Sequence, residues 1–102
     1  MDLRICFENR SKGAVRVDDA SMFRHYATNY LADFNPEWGG FIACDAAEMK
    51  ENHLEPLWQV LIRNASAAIE AELLAYIERN PMVAYHVHVY RKATNQNAVK
   101  IH

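Results

Sequence analysis

The apolar residues in the second half of the chain follow first a helical and then a strand-like spacing. From Pro56 to Asn80 they recur at steps of three and four residues, which is the period of one helix face. Pro56 suits the first turn of a helix, and Pro81 cannot continue one. The spacing therefore predicts one long helix from Pro56 to Asn80. Its apolar face comprises Leu57, Trp58, Leu61, Ile62, Ala65, Ala68, Ile69, Leu73, Tyr76 and Ile77. Its polar side carries Gln59, Arg63, Ser66 and Glu70.

The segment from Met82 to Arg91 alternates in the way of a half-buried strand. We expect its β-branched side to face the long helix, because burial stabilises apolar side chains. That side carries Val83, Tyr85, Val87 and Val89. The other side, which faces solvent, a second layer or a partner, carries Ala84, His86, His88 and Tyr90.

The first third of the chain predicts a strand and an aromatic helix. Leu3 to Glu8 alternates as a strand does, and residues 14–17 form either its returning partner or an extended lead-in to the helix. Asp18 or Asp19 is suited to cap that helix, which ends at Asn35 before Pro36. Its apolar stripe comprises Met22, Phe23, Tyr26, Ala27, Tyr30, Leu31 and Phe34.

Shorter elements are predicted in the middle of the chain. Residues 36–40 contain adjacent glycines and are typical of a structural loop. Phe41 to Cys44 form either a short buried strand or the start of a helix. Asp45 and Glu48 have the spacing of a capping box, which favours a short helix over residues 46–52.

These elements predict an α+β fold in a single domain over residues 1–102. A small, mostly antiparallel sheet would come from the N- and C-terminal segments. Residues 98–102 form either its last edge strand or a frayed tail. The two main helices would pack on one face of the sheet, because neither apolar stripe can remain in contact with water.

Composition narrows the class of protein. The formal net charge of -2 argues against a dedicated nucleic-acid binder, which normally carries a strong basic excess. No apolar run reaches the about 18 residues of a membrane helix, and the first residues lack an apolar signal region. We therefore expect a cytoplasmic protein. Cys6 and Cys44 both lie in apolar runs, which is typical of small buried thiols.

Acidic residues are concentrated in the middle of the chain, in a group that we call the acidic belt. Such a belt is either a solvated surface or a face that meets a basic partner. Trp38 lies within it and is a candidate interface anchor, whereas Trp58 is expected in the core. The belt comprises Asp33, Glu37, Asp45, Glu48, Glu51 and Glu55.

The pair His86 and His88 is the clearest candidate for metal chemistry. Two histidines two residues apart on a strand point the same way, so both imidazoles can reach one ion. A third ligand would have to come from His25, His53, His102 or an acidic residue. The alternative is a polar outer strand face, which with Tyr90 beside it is a natural protein-contact surface.

Other catalytic arrangements are absent from the sequence pattern. Both cysteines lie in apolar segments, where a thiolate is disfavoured, and no nucleophile elbow or phosphate-binding glycine loop occurs. The sequence therefore implies no cofactor.

Residues 52–61, after the aromatic helix and the Pro36-Glu37-Trp38-Gly39 stretch, resemble part of the barstar-type inhibitors, which are small acidic α/β proteins that block a nuclease. The resemblance covers about ten residues and places no functional residue in this chain.

We therefore expect a small non-enzymatic module that binds a protein partner. An immunity-type or phage-encoded inhibitor that occupies a basic, nucleic-acid-handling enzyme is the concrete version, without direct contact to nucleic acid or membrane. One alternative is a small metal-dependent or acid–base enzyme centred on His86 and His88, and another is a homodimeric structural subunit. The candidate partner-binding residues are Glu37, Trp38, Asp45, Glu48, Glu51, Glu55, His86, His88 and Tyr90.

Overall fold

The computed structural model describes residues 1–9, 20–42, 57–83, 85–93 and 98–102. The two α-helices in these residues are α1 (Ala20–Tyr30) and α2 (Ala67–Arg79), and a short 3-10 turn (Ala32–Phe34) follows α1. The five strands are β1 (Asp2–Asn9), β2 (Glu37–Ile42), β3 (Leu57–Ile62), β4 (Tyr85–Lys92) and β5 (Val99–Lys100).

The strands form one antiparallel sheet in the order β2-β3-β1-β4-β5. Strand β1 lies in the middle, paired along its length with β3 on one side and β4 on the other. The order of the first four strands and the two helices is that of the split βαβ, or ferredoxin-like, arrangement. The predicted α+β fold is confirmed, with the difference that β2 and β3, from the middle of the chain, also belong to the sheet.

Alternate residues of the three inner strands form the core together with both helices. Strand β1 contributes Leu3, Ile5 and Phe7, which are fully buried. Helix α1 and helix α2 close the core from the same side of the sheet, as predicted. The remaining buried apolar residues of this cluster are Phe23, Ala27, Leu31, Trp58, Val60, Ile62, Ala65, Leu73, Ile77, Met82 and Val89.

Two tyrosines form hydrogen bonds between the C-terminal ends of the two helices. The hydroxyl of Tyr76 donates to the carbonyl of Tyr30 at 2.5 Å, and the hydroxyl of Tyr30 donates to the carbonyl of Asn80 at 2.5 Å. Burial, with the neighbouring Tyr76 and Tyr26, raises the pKa of Tyr30 to about 12. Tyr30 therefore stays protonated and keeps its donor role at any ordinary pH.

The predicted long helix from Pro56 to Asn80 is wrong over residues 57–66. Residues 57–62 form strand β3, and α2 begins only at Ala67. Between them Asn64 adopts a left-handed conformation with φ 54, which no helix interior contains. The backbone N–H of Asn64 donates to Oδ1 of Asp2, and that of Ala65 donates to the carbonyl of Met1. The turn is thus held by the start of β1.

The error has a physical cause in the composition of β3. Nearly every residue of this strand is apolar, and such a run fits a helix and a buried strand equally well. The core side of the strand is Trp58, Val60 and Ile62, a period of two with two β-branched residues. Ser66 then caps α2, because its Oγ accepts from the N–H of Ile69 at 3.2 Å.

Two further boundaries differ from the prediction. Residues 37–40, predicted as a loop, belong to strand β2, and Phe41 and Ile42 continue it, in agreement with the strand alternative for that segment. The strand carries a bulge between Trp38 and Gly40, where Gly40 has φ +95. Strand β4 begins at Tyr85, so Val83 is not on its core side and is 94% exposed. Pro81 and the bend after it keep the chain out of the sheet until Tyr85.

Other predicted elements are confirmed or lie outside the described residues. The strand predicted from Leu3 to Glu8 is confirmed, and so is the edge-strand alternative at the C-terminus. The aromatic helix is confirmed over Ala20–Tyr30, but Ala32–Phe34 form a 3-10 turn rather than its last turn, and Tyr26 of its predicted apolar stripe is 52% exposed. The caps at Asp18 or Asp19, the strand over residues 14–17, the helix over residues 46–52 and the position of Cys44 fall outside the described residues.

Glu70 was predicted on the solvent-facing side of the helix, and this prediction is wrong. Its side chain is only 11% exposed, and it forms a bidentate ion pair with the guanidinium of Arg91 on β4. Nε of Arg91 donates to Oε2 of Glu70 at 2.9 Å. Glu70 also lies in the first turn of α2, where a negative charge is favourable. The pair ties α2 to the sheet.

We predict that Ser66→Ala lowers the free energy of unfolding by about 1 kcal/mol, because it removes the N-cap of α2. In one continuous helix the same change would be neutral or stabilising, since alanine is the better helix former. Urea unfolding followed by circular dichroism measures the difference. Ser66→Asp, which keeps a capping oxygen, is the control and should unfold at the wild-type midpoint.

We predict that Arg91→Gln lowers the urea midpoint more than Arg63→Gln does. Both changes remove one guanidinium from an ion pair, but Glu70 would be left nearly buried without its partner, whereas Glu37 is 61% exposed. Equal midpoints for the two variants would show that the Glu70 pair adds no more to stability than the exposed pair of Arg63 does.

Candidate functional site on the open face of the sheet

One face of the sheet is not covered by any helix of the described residues. It is formed by the residues that alternate with the core positions of β1, β3 and β4. We call it the open face. Its side chains are polar or charged at most positions, in contrast to the other face. Its members are Asp2, Arg4, Cys6, Glu8, Gln59, Leu61, His86, His88, Tyr90 and Lys92.

The middle of the open face contains a guanidinium stacked on an aromatic ring. Arg4 and Tyr90 are register partners on β1 and β4, and Cζ of Arg4 lies 4.9 Å from the centroid of the Tyr90 ring. This is the geometry of a cation–π contact. Nε of Arg4 is buried and has no hydrogen-bond partner within the described part of the chain.

Cys6 follows Arg4 on the open face and is nevertheless 1% exposed. Its register partners are Gln59 and His88. Burial raises the pKa of the Cys6 thiol, and the nearby charge of Arg4 only partly offsets this effect. The thiol is therefore protonated near neutral pH, as predicted for a buried, unreactive cysteine.

The two histidines lie side by side at the far end of the open face. The rings of His86 and His88 stack with centroids 6.4 Å apart, and Nε2 of His88 lies 3.7 Å from Oε1 of Glu8. Burial lowers the pKa of His88 below its ordinary value of 6.5, and the positive charge of Lys100 lowers it further. The carboxylate of Glu8 opposes both effects without outweighing them.

The metal hypothesis gains no third ligand from the described residues. The two imidazole rings, with centroids 6.4 Å apart, stack on each other and do not both point toward a common metal position. No group of three or more histidine, cysteine or acidic side chains suited to a metal occurs among residues 1–9, 20–42, 57–83, 85–93 and 98–102. His102 is engaged elsewhere, since its Nδ1 lies 3.1 Å from the carbonyl oxygen of Val87.

A hollow of about 270 Å³ lies at the other end of the open face. Arg4, Leu61 and Tyr90, which are register partners on three adjacent strands, form one part of its wall. We call it the cationic hollow, because three of its charged residues are basic and one is acidic. The other residues of its wall are Asp2, Gln59, Arg63, Lys92 and Ala98.

A wider hollow of about 570 Å³ adjoins the start of β2. Asp33 and Glu37, the two described members of the acidic belt, line it together with Arg63. Nε of Arg63 donates to Oε2 of Glu37 at 3.0 Å, and Nη1 lies 3.6 Å from Oδ2 of Asp2. Arg63 thus stands between the two hollows, with its charge shared by two carboxylates.

The candidate partner-binding residues divide into three groups. His86, His88 and Tyr90 lie together on the open face, as the alternation predicted. Glu37 is exposed but paired with Arg63, and Trp38 packs against Phe23 and Trp58 with ring centroids 6.2 and 5.8 Å apart. The rest of the acidic belt lies outside the described residues: Asp45, Glu48, Glu51 and Glu55.

Sequence reasoning missed Arg4 and Lys92 as parts of a site. The alternation of β1 already places Arg4, Cys6 and Glu8 on one face. What the sequence did not show is that β4 pairs with β1 in the register that sets Tyr90 opposite Arg4 and Lys92 opposite Asp2. The hollow exists only through that register.

Comparisons with known proteins add no assignment. No protein-family model matches the chain, no curated protein is significantly similar to it, and no solved structure matches its fold significantly. The resemblance of residues 52–61 to the barstar-type inhibitors receives no support from them. None of the helices in the described residues has both the length and the apolar character needed to cross a membrane.

We predict that stability falls as the pH is lowered from about 7 toward 5, and that His88→Gln reduces this dependence. The pKa of His88 is below 6.5 in the folded chain and near 6.5 in the unfolded chain, so the unfolded state binds more protons in between. Acidification through that window therefore favours unfolding. Urea midpoints at several pH values measure the slope. A pH dependence that His88→Gln leaves unchanged would contradict the prediction.

Proposed function

We propose that this protein is a small binding module that holds a protein partner on the open face of its sheet and performs no catalysis itself. The observation that carries the proposal is the grouping of Tyr90, Arg4, His86 and His88 on a strand face that no described helix covers. Tyrosine and arginine are the residue types most enriched at the energetic centres of protein interfaces.

The chemistry of the open face supports a protein rather than a nucleic acid as the occupant. Sheets that bind single-stranded nucleic acids usually present several aromatic rings on which bases stack. The rings on the described part of the open face are those of Tyr90, His86 and His88. Arg4 already lies over Tyr90, and the two imidazoles lie against each other. Asp2 and Glu8 on the same face would repel a phosphate backbone.

Rigidity of the supporting strands also supports a binding role. Strand β1 is paired on both sides, and the core residues beneath the open face are fully buried. The backbone that carries the open face is therefore held in a fixed geometry, which lowers the entropy that a partner would have to overcome. An inhibitor of the immunity or phage-encoded kind is one form that such a module takes.

The acidic belt remains a second candidate surface. Its described members, Asp33 and Glu37, line one hollow, and we retain the hypothesis that the belt meets a basic, nucleic-acid-handling enzyme. The enzyme hypothesis centred on His86 and His88 and the homodimer hypothesis also stay predictions. Metal analysis of protein purified without a histidine tag tests the first, and sizing in solution tests the second.

We predict that the double variant His86→Ala/Tyr90→Ala loses the protein partner of the wild-type chain. The full chain, immobilised, is incubated with lysate of the cells that express it, at low and high salt. Proteins bound by the wild type are quantified for each variant. Removal of interface anchors should weaken capture by about tenfold or more.

The matched control is His25→Ala/Tyr26→Ala, which removes the same two residue types from the exposed side of α1. It should capture the partner as the wild type does. Charge reversal of Glu48, Glu51 and Glu55 in the same experiment reports on the acidic belt. Capture of the partner by the His86→Ala/Tyr90→Ala variant at the wild-type level would contradict the proposal. An equal loss of capture in both double variants would contradict it as well.

A further inference from the structure

The cationic hollow brings several positively charged side chains to one place. Three of its side chains carry a positive charge, those of Arg4, Arg63 and Lys92, against the single carboxylate of Asp2. The charge of Arg63 is already shared between Asp2 and Glu37. Arg4 and Lys92 therefore supply the positive charge that is left over for a ligand.

Arg4 is the basic side chain of the hollow that is best oriented for a ligand. Its Nε is buried without a hydrogen-bond partner in the described part of the chain, so a ligand in the hollow would bind the remaining N–H groups of the guanidinium. Stacking on Tyr90 fixes the plane of the guanidinium, so its orientation does not have to be established on binding. A planar acceptor would meet a donor that is already oriented.

We propose that the cationic hollow binds a carboxylate group, supplied by an aspartate or glutamate side chain of the protein partner. This inference rests on the proposed function and names the chemistry of the partner at one point of the interface. The carboxylate would accept hydrogen bonds from the Arg4 guanidinium, and Lys92 at the rim would add a point charge. Leu61 provides the apolar wall that a side-chain stem contacts.

The size of the hollow supports a single chemical group as its ligand. Its volume of about 270 Å³ lies below the range of about 300–1,000 Å³ that is usual for whole small-molecule ligands.

The test is an NMR titration of the full chain with acetate, at constant ionic strength maintained with chloride. We predict saturable shifts at the backbone amides of Arg4, Leu61 and Lys92. Arg4→Gln should weaken the apparent affinity by about tenfold, because it removes a charged hydrogen-bond donor. Lys92→Gln, at an exposed position that poses no risk to folding, should weaken it by about threefold.

The control is Arg24→Gln, which makes the same chemical change and the same change in net charge on α1, in the other layer. It should leave the affinity for acetate within about twofold of the wild type. Shifts that do not saturate would overturn the proposal. So would an equal loss of affinity in the Arg24 and Lys92 variants, since that would indicate general charge attraction.

Inorganic phosphate, titrated under the same conditions, separates the two kinds of anion. Binding of phosphate about tenfold tighter than acetate would overturn the assignment to a carboxylate. Failure of the acetate titration leaves the partner-capture experiment with His86 and Tyr90 unaffected. Conversely, if acetate binds but the wild-type chain captures no partner, the carboxylate site is supported and the proposed function is rejected.

Discussion

Strand β1 is the element on which the rest of the structure depends, because it is paired with β3 on one side and with β4 on the other. Its alternation separates two environments along eight residues. Leu3, Ile5 and Phe7 form the floor of the core, and Arg4 and Glu8 project to the opposite face. A shift of register by one residue would exchange the two faces and bury charge under the helices. Core and binding surface are thus fixed by the same hydrogen bonds.

The parts of the fold that depend on local pattern could be predicted from the sequence. Strand β1 and the side of β4 that carries His86, His88 and Tyr90 follow from strict alternation, and the aromatic helix follows from its spacing. Strand β3 could not be separated from the helix after it, because an apolar run fits both periods. Asn64 and Ser66 mark the boundary between strand and helix. Asparagine tolerates the left-handed backbone of the turn, and serine caps the helix.

The parts of the structure that depend on contacts between distant segments could not be predicted. Glu70 and Arg91 are 21 residues apart, and nothing local indicates that the carboxylate of Glu70 is nearly buried against β4. The cationic hollow likewise needs β3, β1 and β4 in one register. The sequence shows which residues are charged. Which of them pair with each other depends on the folded structure.

The two edges of the sheet have a consequence for how this molecule meets others. One edge is β2, where the bulge at Trp38 and Gly40 interrupts the regular ladder, and the other is β5, which is only two residues long. Neither offers a long, straight row of free backbone groups onto which another strand could add. Edge-to-edge stacking into fibrils is thereby disfavoured at these two strands.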